Sequence, residues 1–365
     1  MKIAIVHDWL NQKVGGAENV LFELADMYPK ADIYTIIYNP KKFNYRLKNR
    51  NIIKSWLQFM PGFIKKRPKL LLPFVKSAVT RWDFEGYDLV ISSSSAWVKN
   101  IIVPQKTRHI CYCHTPARML WDSWPGYIDD MRIGPILRFY LVRLASKLRL
   151  WDYYQSQTRI EFIANSQYIA RRINKFYHKS AKVVHPPVDT DGMDTASSSS
   201  KNYYLVLSVL SKYKNIDLAV QAFKSNGKNL VVAGDGPEID NLKSLAKGHN
   251  NIQFVGRVED SKKSELMQEA RGFIFCSIED FGITMVESIA SNTPVIALKG
   301  GGALEIINEG NTGMFFDSPT VESLNGAISK YERTFGSKHK IDNKYIFSEF
   351  SKAKFEKNIR EIVGE

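Results

Sequence analysis

Three observations predict an α/β protein of two domains, each a mostly parallel sheet with helices on both faces. Short apolar runs of strand length alternate with segments of helical period through the first half of the chain. A break follows at Pro186-Pro187-Val188-Asp189-Thr190-Asp191 and Ser197 to Ser200, where stiff prolines give way to a polar serine run. The same alternation then starts again, and 365 residues is the length of two ordinary domains.

The first domain is placed at residues 1–187. Ile3 to Val6 reads as its opening strand, too short an apolar run for a signal peptide. Gly15-Gly16 introduces a helix over Ala17 to Met27, and strands are expected at Ile33 to Tyr38, Leu89 to Ser92, Ile110 to Tyr112 and Phe162 to Ala164. The second domain is placed at 188–345, with a strand at Tyr204 to Val209 and a helix at Ile216 to Phe223. Its further strands are Leu230 to Ala233, Ile252 to Val255, Phe273 to Cys276 and Val295 to Leu298. The tail, 346–365, has helix spacing from Phe347 to Val363 and is expected to pack back on the first domain.

Composition narrows the function classes. Hydrophobic residues at 44% and charged residues at 24% are globular values, whereas a net charge of +14 calls for an anionic partner. Cys111, Cys113 and Cys276 form neither a disulfide framework nor a four-ligand metal set, so a reducing cytoplasm is the expected setting. No apolar run is long enough to span a membrane, so membrane contact is expected to be peripheral. From Ile33 through Trp82 there is no Asp or Glu, whereas Lys41, Lys42, Arg46, Lys48, Arg50 and Lys54 begin a basic run interleaved with Trp56, Leu57, Phe59 and Met60. This 41–82 region, which continues through Lys66, Arg67 and Lys76 to Trp82, suits an anionic lipid surface; the alternative is a solvated insertion whose apolar side is core. Nucleic acid is not expected as a partner, because no helix-turn-helix, zinc-finger or RNP-like pattern accompanies the charge.

The segment Glu279-Asp280-Phe281-Gly282-Ile283-Thr284-Met285-Val286-Glu287 lies between two strand-like runs. It puts one carboxylate at a strand exit, a glycine at the turn and a second carboxylate inside the next helix. Open α/β sheets bind phosphorylated ligands at such strand ends, where a helix N-terminus faces the anion. Backbone at Phe281, Gly282 and Ile283 can meet a phosphate while the glutamates accept hydroxyls on either side, which describes a nucleotide sugar. Lys212-Tyr213-Lys214, between a strand and a helix, can neutralise a diphosphate or merely decorate a solvated helix start. Gly234-Asp235-Gly236-Pro237 is first a turn and second a pocket wall. Gly300-Gly301-Gly302 with Glu305 repeats the strand–glycine–helix pattern.

In the first half, Gly15-Gly16-Ala17-Glu18 permits close backbone approach to a ligand or simply makes a tight turn; it is not a dinucleotide fingerprint. His114 sits at a strand end among Arg118, Trp121 and Asp122, where it can donate to a sugar hydroxyl or serve a structural role. Asp189-Thr190-Asp191 resembles a metal-binding D-x-D, but its Pro-rich setting favours a turn and cap, and no metal is expected.

Taken together these residues resemble the GT-B retaining glycosyltransferases of family 4, in particular the bacterial mannosyltransferase-like branch of polysaccharide synthesis. The resemblance spans nearly the whole chain. It rests on Gly15 to Glu18, Cys113-His114-Thr115-Pro116-Ala117-Arg118, Pro186 to Asp189, Tyr213 to Ala219, Gly234 to Pro237 and the E-x7-E spacing of Glu279 and Glu287. It implies a GT-B architecture of two Rossmann-like domains facing across a cleft, the first holding the acceptor and the second the donor. His114, Glu279 and Lys214 would form the catalytic set, with His114 and Glu279 on the transferred sugar and Lys214 on the diphosphate. Gly15, Gly16, Lys212, Gly234, Phe281, Gly282, Ile283, Thr284 and Glu287 would complete the donor site, with Arg118 contacting acceptor or sugar. The expected donor is GDP-mannose, with UDP- and dTDP-sugars as alternatives, and the expected acceptor a lipid-linked saccharide, without cofactor or metal.

One departure stands out: Val209 occupies the position where the family usually has an arginine that shares the diphosphate charge, and Asn215 replaces a commonly basic residue. Lys212 is the expected substitute for that charge. Two other classes compete. A glycoside hydrolase also uses two carboxylates, but facing across one bond, roughly 5–9.5 Å apart; a degenerate, non-catalytic sugar-nucleotide binder would accommodate Val209.

Overall fold

The computed structural model describes residues 1–11, 14–65, 68–122, 134–189, 202–336 and 341–365. Lys66 and Arg67 of the basic stretch, and Thr190, Asp191 and Ser197 to Ser200 of the interdomain break, lie outside these residues. The described chain divides into two compact units, Met1–Pro187 with Glu356–Glu365, and Val188–Phe355.

The first unit holds seven strands: β1 (Ile3–Leu10), β2 (Asp32–Tyr38), β3 (Ile52–Lys54), β4 (Leu89–Ser94), β5 (Arg108–Cys113), β6 (Ile160–Ala164) and β7 (Ala181–Val183). They pair in parallel in the order β3-β2-β1-β4-β5-β6-β7. The order reverses direction between β1 and β4, and in an open parallel sheet that switch point opens a crevice at the carboxyl ends of the strands. The three-residue edges β3 and β7 carry too few apolar residues to stand out in the sequence.

The second unit repeats the plan with six parallel strands: β8 (Tyr204–Leu207), β9 (Leu230–Ala233), β10 (Ile252–Gly256), β11 (Gly272–Phe275), β12 (Val295–Leu298) and β13 (Gly313–Phe316). Their order is β10-β9-β8-β11-β12-β13, so the switch point lies between β8 and β11. β8 stops at Leu207, short of the expected Val209, because the chain leaves the sheet to pack on the next loop. The Leu210 amide donates to Asp235 O at 3.0 Å, and a Cβ on Gly234 would sit 1.9 Å from Ser208 O. Gly234, at φ +134°, therefore serves this backbone-to-backbone contact.

The tail forms two helices, Lys344–Glu349 and Lys352–Val363, parted at Phe350 and Ser351. The expected boundary at 346 falls too early, since Ile346 and Phe350 are buried in the core of the second unit and the Val188 amide donates to Phe350 O at 2.9 Å. The end of the last helix belongs to the first unit. There Arg108 donates to the carbonyls of Ile362 and Val363, each at 2.7 Å, and also meets Glu161. A cation at a helix C-terminus satisfies orphan carbonyls and complements the helix dipole.

The basic stretch divides its apolar residues between two environments. Leu57, Leu71 and Leu72 are buried in the first unit's core with Val75, while Phe59, Leu70 and Phe74 are exposed.

Candidate functional site

In the second unit, one strand–loop–helix turn places both glutamates. β11 ends at Phe275, Glu279 lies in the loop, and Gly282 begins the helix Ile283–Ala290. Gly282 has φ +102°, a left-handed conformation that strains any side chain. Ile283 and Thr284 form the first turn of the helix and Glu287 lies in its second. Phe281 is buried against Phe350, so it can offer its backbone but not its ring.

β8 and β11 are adjacent, so the turn Lys212–Lys214 after β8 meets the loop after β11. Lys214 Nζ lies 2.6 Å from Glu279 Oε1, and the Ser277 hydroxyl donates to the same oxygen at 3.1 Å. Asn215 explains itself structurally. It adopts a left-handed backbone at φ +51°, which asparagine tolerates, and its amide donates to Cys276 O at 3.2 Å, tying this turn to β11. Lys212 is exposed on the same turn, and Val209 is exposed just beyond β8.

Glu287 is paired with Lys263, from the helix Asp260–Glu269, at 2.8 Å. Burial pushes the Glu287 carboxyl above its ordinary value, and the nearby lysine opposes that. Burial works against the Lys263 ammonium too, but Glu287 and Asp260 together hold it above the usual lysine value. The triple-glycine loop braces the segment from behind. A Cβ on Gly301 would lie 2.1 Å from Glu279 O, and one on Gly302 would lie 2.1 Å from Phe281 O. Neither position has room for a side chain.

In the first unit, a buried polar chain crosses the switch point. His114 Nε2 lies 2.8 Å from Ser93 Oγ, which lies 3.1 Å from His7 Nδ1. His7 Nε2 is 3.8 Å from Glu18 Oε1, and Glu18 Oε2 accepts the Gly15 amide at 2.8 Å. Burial drives His114 down to about 3, helped by His7 and opposed by Glu18, so its imidazole is neutral near pH 7. Burial raises the Glu18 carboxyl, but the His7 contacts outweigh it and hold Glu18 below the ordinary glutamate value. Gly15 thus caps a 12-residue helix that starts at Gly16, and the cap's own amide is taken by an internal carboxylate.

The neighbours of His114 are largely structural. The Trp121 indole donates to Asp152 at 2.8 Å, and Asp122 is ion-paired with Arg172. Arg118 opens the short helix Arg118–Trp121. Asp152 also anchors a buried network, with Lys99 at 2.8 Å and the Tyr177 hydroxyl at 2.8 Å. Asp189 of the D-x-D is paired with Lys352 at 3.0 Å. Among the described residues, no three His, Cys, Asp or Glu side chains cluster so as to hold a metal ion.

The fold therefore unites Lys214 with Glu279, sets Glu287 on the helix behind them, and separately links His114 to the loop of Gly15. His7, Ser93 and Lys263 were not anticipated. His7-Asp8 near the end of an apolar first strand carries a weak local signal, since strand ends in parallel sheets host sites; Lys263 carries none.

Residues 14–191 match the family Glycosyltransferase Family 4, and residues 190–345 match Glycosyl transferases group 1. The chain is 22% identical, over 419 aligned positions covering 96% of each chain, to the alpha-1,3/1,6-mannosyltransferase ALG2 of Dictyostelium discoideum. It is 40% identical to the alpha-monoglucosyldiacylglycerol synthase of Streptococcus pneumoniae over 102 residues, 26% of this chain and 23% of that one. Its fold is similar to that of Anabaena Alr3699/HepE in complex with UDP, with a TM-score of 0.72, 18% identity and 100% of each chain covered.

Proposed function

Since this chain belongs to the GT-B glycosyltransferases, with a family 4 first half and a group 1 second half, we propose that it moves a hexose from a nucleoside-diphosphate sugar to a lipid-linked saccharide with retention of anomeric configuration. The observation that carries this reading is the Lys214–Glu279 pair at the head of the helix behind Gly282. A lysine and a helix N-terminus side by side suit a diphosphate, and a carboxylate beside them suits the hydroxyls of the attached sugar.

In this reaction the bond from the anomeric carbon to the diphosphate oxygen breaks as the acceptor oxygen bonds to that carbon from the same face. The acceptor proton passes to the departing phosphate. The protein's task is to stabilise charge growing on the leaving group, and fixed cations and amides do this without a metal. Lys214 takes that role, Lys212 supplements it in place of an arginine at position 209, Glu279 and His114 hold the sugar, and Glu287 holds the ribose. Mannose is the first choice of sugar and GDP-mannose of donor, supported by the likeness to ALG2. The acceptor's lipid places the enzyme at the cytoplasmic face of a membrane, with the basic 41–82 stretch at the anionic surface. Among the described residues no helix is long and apolar enough to cross a membrane.

Thermal-shift titration with GDP-mannose, UDP-glucose and dTDP-rhamnose tests donor binding, because a ligand bound only by the native state raises the melting temperature. We expect GDP-mannose to give the largest shift; no shift with any nucleotide sugar overturns the reading. The anomeric proton signal of the product distinguishes retention from inversion. Val209 favours one second reading, a sugar-nucleotide binder without transfer. Donor binding with no turnover on any lipid-linked acceptor would establish it.

A further inference from the structure

The long helix Pro135–Ser156 carries apolar residues on two sides. One side, with Ala145, Leu148 and Trp151, is buried in the core of the first unit. The other carries Ile136, Phe139, Tyr140, Leu150 and Tyr154, each more than half exposed: Ile136 at 74%, Phe139 at 54% and Tyr140 at 64%. With Arg143 and Lys147 between Tyr140 and Leu150, the outward positions 136, 139/140, 143, 147, 150 and 154 follow spacings of three and four, so the apolar residues sit at the two ends of one helical stripe with a basic centre. From the first to the last is about 27 Å at 1.5 Å per residue. Single exposed apolar residues are ordinary, but one helix face that groups aromatic and branched side chains around a basic centre marks an interaction surface.

Charge identifies the partner. Arg143 and Lys147 lie within the same stripe, both exposed, and the Arg143 guanidinium lies 4.5 Å from the centre of the Phe139 ring. The only acid of the helix, Asp152, is fully buried against Lys99. Among the described residues, the outward face of this helix therefore offers cations and apolar groups and no carboxylate. A second copy of this face would add cations and bring no anion to meet them, whereas an anionic bilayer supplies phosphates for the cations and acyl chains for the rings. With its basic residues the helix suits lying in the interface, and it does not qualify as a membrane span.

We propose that the outward stripe of the Pro135–Ser156 helix is the main element by which this protein docks on an anionic lipid surface. The inference rests on the reading that the acceptor is lipid-linked, and assigns the apolar part of the docking to this helix instead of the 41–82 stretch. The test is co-sedimentation of the full chain with vesicles of phosphatidylcholine alone or mixed with phosphatidylglycerol. Three proteins are compared: wild type, Ile136→Glu/Phe139→Glu/Tyr140→Glu, and Lys41→Glu/Lys48→Glu.

Wild type is expected to bind the mixed vesicles, and the helix variant to bind at least about 30-fold more weakly, since three large apolar contacts are lost and three carboxylates are set against the anionic lipid. The substituted side chains are exposed, so the variant should keep its melting temperature and its donor-induced thermal shift. Equal binding by the helix variant, with loss in Lys41→Glu/Lys48→Glu, overturns this assignment and leaves membrane association standing. Absence of wild-type binding to either vesicle overturns both. A wild-type dimer in sedimentation velocity that the helix variant reduces to monomer, with vesicle binding unchanged, assigns the stripe to a second copy and overturns the inference.

Discussion

The carboxyl ends of the two sheets handle charge in opposite ways. In the second unit the polar groups pair as lysine with glutamate, Lys214 with Glu279 and Lys263 with Glu287. At the switch point of the first unit two buried hydrogen bonds link a neutral His114 through Ser93 to His7, with the Glu18 carboxylate 3.8 Å beyond and the Asp8 carboxylate taken up by backbone amides. A neutral imidazole on a fixed serine suits orienting a sugar hydroxyl, while paired ions suit a ligand carrying charge of its own. Yet both sites share a device. The groups expected to face phosphate, Lys214 and the Gly15 amide, are each matched to an internal carboxylate. An anion site that holds its donors in place with its own anion is prearranged before ligand arrives, and binding then exchanges one negative partner for another.

The sharpest break of this contrast is Lys214→Ala. Loss of a group that stabilises leaving-group charge should cost about 10²–10³ in kcat/KM, read from initial rates of transfer. A variant with unchanged turnover would remove the second unit's ion pair from the mechanism. Next is Lys263→Met, which leaves Glu287 buried without its cation. Removing one partner of a buried pair costs about 3 kcal/mol of stability, and donor affinity should fall with it. Denaturant unfolding and donor titration read the two effects.

The pH dependence separates the units further. Burial holds His114 and His109 both at about 3 in the folded state, His109 also feeling the Lys99 charge. A histidine depressed from its unfolded value near 6.5 contributes stability fully above that pH and loses it as pH falls toward 3. Each should cost up to about 1.4 kcal/mol per pH unit in that window. His114→Asn should therefore flatten the acid limb of the stability curve. Glu287 runs the other way: its raised folded value contributes stability below the ordinary glutamate range that is lost as pH rises through it. The smallest effect is expected from Ser93→Ala, which removes hydrogen bonds to His7 and His114 worth about 1 kcal/mol and should shift KM more than melting temperature.

The doubly wound plan was legible because every central strand is an apolar run bounded by turns, as in Leu230 to Ala233 and Val295 to Leu298, both of which form at the expected residues. The glutamate pair was legible because its geometry is local, one turn and two helical turns within nine residues. Lys263 and Ser93 were not, since each reaches its partner across 24 and 21 or more residues, through sheet order and not through spacing. The basic stretch was half legible. Leu57 and Phe59 look alike in sequence, and only packing sends the first into the core and the second to the surface.

Asp8 carries a consequence for assembly. Its two carboxylate oxygens accept four consecutive amides, from Ser95 and Ala96 at 2.6 and 2.9 Å and from Trp97 and Val98 at 2.9 and 3.0 Å. Those amides follow β4, whereas Asp8 lies in β1, so the turn has no acceptor until the two strands are side by side. Local order at residues 95–98 is thus conditional on a non-local contact. During folding this turn should gain amide-exchange protection together with the β1–β4 pairing and not before it.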